Sequence, residues 1–252
     1  MTPSPWPILS SLQTWSLINC LLISFSFNLK KFTFLFINIT LLITSFSWWK
    51  NTIHESEKEG FHLSPVIKGI KIGIILFILS EIIFFLSFFW SFFHSSINPS
   101  IELGSIWPPI TIEPFNPINV PLLNTIILIR SGASLTWSHH SLLNSNLKLA
   151  KNTLIITILL GSYFSILQAI EYTQALFSIH DSSYGSVFFI ATGFHGAHVI
   201  IGSSFLVVNI TLLKKIFSSK THHIGFEIAA WYWHFVDVVW LFLFTSIYWW
   251  GK

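Results

Sequence analysis

The sequence predicts an all-α membrane protein with seven transmembrane helices. Three observations lead there. Of 252 residues, 52% are apolar and only 9% charged, where soluble domains carry about 25% charged residues. Mean hydropathy is +0.68. Apolar runs long enough to cross a bilayer, which takes roughly 20 residues, recur along the whole chain. Thirteen basic and ten acidic side chains could not cover the surface of a soluble protein of this size.

The first run, 8–28, and the second, 32–49, are joined by a short turn carrying Lys30 and Lys31. A polar, charged stretch at 50–68 follows. The third run, 70–95, leads into a segment holding Pro99, Pro108, Pro109, Pro114, Pro117 and Pro121. Proline lacks an amide hydrogen and clashes with the preceding turn, so 98–121 reads as an ordered interfacial loop. Runs at 122–141, 153–174, 187–213 and 228–250 complete the set. Trp48, Trp49, Trp107, Trp249 and Trp250 stand at run ends, where indoles favour the headgroup layer.

Lysine placement predicts orientation. Lys50, Lys58, Lys68, Lys71, Lys148, Lys151, Lys214, Lys215 and Lys220 lie in or beside the loops after runs two, four and six. Lys30, Lys31 and Lys252 fall on the other side. The positive-inside bias therefore puts the N-terminus on the negative side of the membrane and the C-terminus on the positive side. A lone cysteine, Cys20, rules out a disulfide framework or a CxxC site. A formal charge of +3 is too small and dispersed for a nucleic-acid surface. The N-terminal segment has no charged region of the kind that opens a cleavable signal.

Charges inside spans need a reason, since each costs about 2.5–3.5 kcal/mol at the bilayer centre. Glu81 sits mid-span in run three. It reads either as a proton-exchanging or lipid-contacting carboxylate, or as a neutral side chain tied to a neighbouring helix. Arg130, the single arginine, lies near midplane and calls for Glu81, Asp237 or a lipid headgroup as partner. His195 and His198 share one face of run six with Gly202. Two imidazoles are half a metal site, and helix packing is the favoured reading, with Gly193, Gly196 and Ala197 as small residues that permit close approach. His234 and Asp237, at i and i+3, read with Arg130, His195 and His198 as an intramembrane polar network, because no nucleophile accompanies them. The phenylalanines of run three, Phe77 to Phe93, read as a packing or lipid-facing stripe.

Eleven histidines raise an alternative, a free-standing His-rich membrane metalloenzyme. The clustered H-x₃-H and H-x₂-H-H boxes of membrane di-iron enzymes are missing. So is the spread of axial histidines that a haem–copper core needs. The residues alone therefore describe a seven-helix membrane subunit without a complete active site: no catalytic residue and no metal ligand set.

Longer strings are more specific. Ser80–Glu81, Phe93–His94–Ser95–Ser96, Trp107–Pro108–Pro109, Val120–Pro121–Leu122–Leu123–Asn124–Thr125 and His139–His140–Ser141 occur in order. They continue through Tyr184–Gly185–Ser186, Gly193–Phe194–His195–Gly196, the run Trp-Tyr-Trp-His-Phe-Val-Asp at 231–237, and Tyr248–Trp249–Trp250–Gly251. From Ser4 onward the chain resembles cytochrome c oxidase subunit III of the mitochondrial type. The resemblance implies a two-helix N-terminal unit (1–49), a matrix-side polar loop (50–68) and a five-helix bundle (69–252), with a lipid-filled V-shaped cleft between the two helical units. It implies a multi-pass protein of the mitochondrial inner membrane, N-terminus on the matrix side and C-terminus on the intermembrane-space side. The partners implied are oxidase subunits I and II, small accessory subunits, phospholipids and, indirectly, cytochrome c. Haem and copper would reside in those partner subunits and none in this chain. The implied role is accessory: scaffolding the catalytic subunit, binding structural phospholipid and supporting proton uptake while the complex reduces oxygen and pumps protons. Glu81 matches the family's buried, carbodiimide-reactive glutamate, and Trp49, Glu55 and His62 match positions near lipid headgroups. Lys214 and Lys215 stand close to a basic lipid-binding position that is Leu212 here.

The chain departs from the family pattern in places. Lys50–Asn51 replaces Arg-Asp after the tryptophan pair, exchanging a bidentate phosphate fork for a point charge. Ser182 follows Asp181 where glycine is frequent. Arg130 occupies a position normally small and uncharged.

Overall fold

The computed structural model describes residues 4–26, 31–57, 59–101, 104–218 and 223–252, with backbone alone at 25–26, 31–32, 57 and 214–218. Seven helices hold most of these residues: α1 (Trp6–Ser26), α2 (Lys31–Glu57), α3 (Ser64–Ile97), α4 (Val120–Leu143), α5 (Leu147–Gln174), α6 (Ser182–Ser218) and α7 (Ile224–Leu243). The last continues into a π-helical segment, Phe244–Trp250. No strand occurs among the described residues. Among the described residues, five helical segments are long and apolar enough to cross a membrane: those of α1, α3, α5, α6 and α7 with its extension. α4 falls short on hydropathy, and the cause is visible. Asn124, Thr125, Ser131 and Ser138 lower its hydropathy yet face the protein interior and are buried.

The polar stretch at 50–68 is largely helical. α2 runs to Glu57 and α3 restarts at Ser64, since lysine, glutamate and histidine extend a helix into water at little cost. The chain divides into two compact units, Met1–Ile70 and Lys71–Lys252. In the first, α1 and α2 pair, and the Thr44 hydroxyl bonds to Gln13 Oε1. Other hydroxyls on both helices bond to carbonyls three or four residues back, Ser11 to Ile8 and Ser47 to Ile43 among them. That internal satisfaction is what a helix in hydrocarbon requires.

In the second unit α4 lies against α5 and α7, α5 against α6, and α6 against α7. α4 and α5 form a hairpin whose turn is closed by Asn146. Its side chain caps α5 by accepting from the Leu149 amide at 3.1 Å, the standard use of an asparagine at a helix start. Across that hairpin Ser138 Oγ donates to the Ala150 carbonyl (2.8 Å), and the Ser134 and Thr157 hydroxyls bond at 2.8 Å. α7 is the best-buried helix. Trp233 is wholly enclosed because Gly161 of α5 and Gly202 of α6 leave room for its ring. A Cβ at Gly161 would stand 2.5 Å from the ring, and one at Gly202 2.9 Å. The Trp233 indole N–H donates to Ser131 Oγ (2.9 Å), and that of Trp240 to Thr125 Oγ1 (3.0 Å). Rising numbers on α7 meet falling numbers on α4, so the two helices run antiparallel.

The proline-rich segment is anchored by aromatics. Trp107 packs edge-on to Phe92 at 5.5 Å and against Tyr184 at 5.6 Å, while Phe115 packs on Phe177 and Phe188. This explains how a loop without regular structure holds a fixed position.

Candidate functional site

The polar groups of the second unit fall into separate clusters. The most developed lies between α3 and α6. His198 Nε2 stands 2.9 Å from Glu81 Oε2, and His198 Nδ1 stands 2.6 Å from the Phe194 carbonyl. A carbonyl only accepts, so Nδ1 carries the proton that bonds it. Nε2 then either accepts from a protonated Glu81 or, as an imidazolium, donates to the carboxylate. The contact thus admits two proton positions along one hydrogen bond. The glutamate side chain is 21% exposed and the histidine 11%, so the pair is shielded but reachable. Tyr232 stacks on the imidazole (6.2 Å, 21°) and Phe85 meets it edge-on at 5.2 Å.

This pair, with Ser80, forms the polar part of a cavity of about 580 Å³, whose other walls include Phe77, Phe84, Phe194 and Tyr232. Helical periodicity explains the assembly: Phe77, Glu81 and Phe84 follow one face of α3, and Phe194 and His198 one face of α6. Part of the phenylalanine stripe therefore lines this cavity, while Phe85 and Phe92 turn into the core. A concave apolar wall bearing one convergent polar pair suits an elongated apolar ligand with a polar end.

His195, one turn earlier on α6, points elsewhere. Its Nε2 bonds to the Val236 carbonyl at 3.2 Å, with Trp240 and Phe164 packed around the ring. His195 thus ties α6 to the α7 backbone while His198 ties it to α3. The two imidazoles serve different neighbours, and among the described residues no three His, Cys, Asp or Glu side chains gather as a metal site.

His234 Nδ1 lies 3.8 Å from Asp237 Oδ2, an ion-pair separation longer than a hydrogen bond. Asp237 is pressed against α4 at Gly132, where an added Cβ would meet its carboxylate at 2.6 Å. Arg130 joins neither cluster. It is exposed on the outer face of α4 and has no ion pair among the described residues, while Glu81 faces His198 and Asp237 faces His234.

Among the residues of the first unit, Trp49 is exposed on α2. Glu55 is half-buried and accepts from Asn51 Nδ2 at 3.4 Å. His62 is half-buried in the connector between α2 and α3. The side chains of Lys214 and Lys215 lie outside the described residues.

Two features escaped the sequence reading. Lys71 and Glu227 form a 2.7 Å ion pair between α3 and α7, with the ammonium 5.9 Å above the Trp231 ring. Glu171, 1% exposed, is buried near the end of α5. Near a span end, a charge in the sequence reads as solvated, and only packing reveals otherwise. In the connector after α5, Asp181 accepts from the Ser178 amide (2.6 Å) and hydroxyl (2.9 Å). Those bonds hold its carboxyl below the usual carboxylate range. Ser182, beside it, has φ +63°, a left-handed conformation that glycine adopts without cost. That accounts for glycine's frequency at this point in the family pattern.

The family model described as cytochrome c oxidase subunit III matches residues 1–252. Proteins named cytochrome c oxidase subunit 3 from Damaliscus lunatus, Osphranter robustus and Bos taurus are each 53% identical to this chain, over 100% of it and 96% of their own length. The chain therefore belongs to the cytochrome c oxidase subunit III family and is a subunit of that oxidoreductase complex.

Proposed function

We propose that this chain is an accessory, membrane-embedded core subunit of the mitochondrial oxidase. In this reading it scaffolds the catalytic subunit, binds phospholipid and supports proton uptake, and it holds no catalytic centre of its own. Haem and copper belong to its partners, subunits I and II, which cytochrome c serves. All seven helices span the inner membrane, with the N-terminus in the matrix and the C-terminus in the intermembrane space. The inward-facing polar residues of α4 support counting it as a span despite its low hydropathy. Phospholipid fills a cleft beside the five-helix bundle, with Trp49, Glu55, His62, Lys214 and Lys215 as headgroup contacts.

The observation that carries this reading is the Glu81–His198 pair in the wall of the apolar cavity between α3 and α6. Acyl chains match the aromatic walls, and the shared proton gives the polar end of the site something to exchange. His195, His234 and Asp237 complete the intramembrane polar set as positioning groups. The test uses the intact oxidase complex and a hydrophobic carbodiimide. Slow modification at Glu81, abolished by Glu81→Gln and accelerated once phospholipid is stripped away, is the expected result. An inert Glu81, with turnover equally durable before and after lipid removal, would overturn the lipid and proton role.

A further inference from the structure

Arg130 is an exposed cation on a helix face that is otherwise apolar. Ile126, Ile129, Ala133 and Trp137 share that face and are exposed, whereas Leu128, Ser131 and Leu135 on the opposite side are buried. A guanidinium cannot discharge itself by losing a proton, so its environment must supply the balance.

Depth decides what can do so. α4 has 24 residues, and at about 1.5 Å per residue it is roughly 36 Å long. Arg130 then lies about 15 Å from one end and about 20 Å from the other. A hydrocarbon core about 30 Å thick puts it near midplane, where one side chain covers only part of the distance to a headgroup. The carboxylates of this chain at comparable span positions, Glu81 and Asp237, face His198 and His234 instead.

We infer that the outer face of α4 centred on Arg130 is a docking surface for a transmembrane helix of a partner oxidase polypeptide that carries an aspartate or glutamate at matching depth. Charge complementarity selects this occupant: the apolar residues on either side suit a helix as well as they suit lipid, but only a carboxylate at that depth answers the guanidinium. The planar fork of arginine engages a carboxylate bidentately, and Ala133 leaves space for close approach of a second helix. The inference rests on membership of a multisubunit oxidase and deepens the scaffolding role. It is independent of Glu81, whose carbodiimide reaction stays the same if α4 docks nothing.

The test compares Arg130→Leu, Arg130→Glu and Arg130→Lys in the assembled complex. The readout is the amount of this chain retained per haem after detergent purification, normalised to its amount in the membrane. Docking predicts at least tenfold lower retention for the leucine and glutamate variants, because each strands the partner carboxylate inside the interface, and substantial retention for lysine. A lipid-facing Arg130 predicts the reverse for leucine: retention equal to or better than the parent, which overturns the inference. Should the variants fail to reach the membrane, a photoreactive residue replacing Ala133 in the otherwise unaltered chain decides. Capture of a partner segment containing aspartate or glutamate supports docking. Capture of phospholipid alone, or of a second copy of this chain, overturns it.

Discussion

Asp181 illustrates how much a single exposed side chain can organise. It closes the connector into α6 by accepting two bonds from Ser178, and these keep its carboxyl ionised to lower pH than usual. The folded value lies below the unfolded one, so its stabilising contribution is present above the ordinary carboxylate range, about pH 4. It fades as pH falls through the depressed value, and raising the pH above neutral changes nothing. Hydrogen exchange at the Ser178 amide checks this: protection should persist to about pH 4 and decline below, and Asp181→Ala should abolish it throughout. Unchanged exchange in that variant would remove the role assigned here. At this scale the sequence exposes some groups and hides their partners. Glu81 stands out because it interrupts an apolar run, but His198 is 117 positions away and no local pattern links them. Arg130 stands out equally well, while its outward direction depends on which face of α4 meets α5 and α7.

Helix positions were legible because length and hydropathy govern insertion. Residues 70–95, expected as a span, lie within α3 (Ser64–Ile97), and 153–174 within α5 (Leu147–Gln174). Closest packing was less legible. Gly193, Gly196 and Ala197 were expected to bring helices together, but a Cβ at Gly193 or Gly196 would meet nothing within 4 Å. Tight contacts between helices instead involve Gly161 and Gly202 against Trp233 and Gly132 against Asp237. Periodicity identifies a row of small residues, yet it does not say which row receives a ring from another helix. Gly161→Ala and Gly202→Ala should each destabilise the folded complex by about 1–3 kcal/mol, the usual cost of overfilling a packed site, with Gly161 the more sensitive. Gly193→Ala and Gly196→Ala should stay within about 0.5 kcal/mol. Thermal unfolding in detergent ranks the four, and equal effects would contradict the Trp233 slot.

For the molecule as a whole, scarcity of charge revealed the membrane class, and ordered strings across the chain revealed the family. The resemblance is confirmed by a family match from residue 1 to 252. What composition could not reveal is how eleven histidines are distributed. His195 and His198 are three positions apart yet serve opposite neighbours, α7 and α3, so a ligand-like spacing yields helix contacts. The accessory reading has a direct check at this scale. Chain purified away from its partners should show no haem absorption and no bound copper, and stoichiometric amounts of either would restore the metalloenzyme alternative.

The two indole bonds between α7 and α4 also set a code for assembly. Trp233 and Trp240 are seven residues apart, and their acceptors Ser131 and Thr125 six, so both donors find oxygen in a single register. Sliding either helix by one turn, about 5.4 Å, separates both N–H groups from these acceptors, and an indole left unpaired within the membrane costs several kcal/mol. Two helices whose bonded residues lie more than a hundred positions apart are thereby matched like a key with two pins.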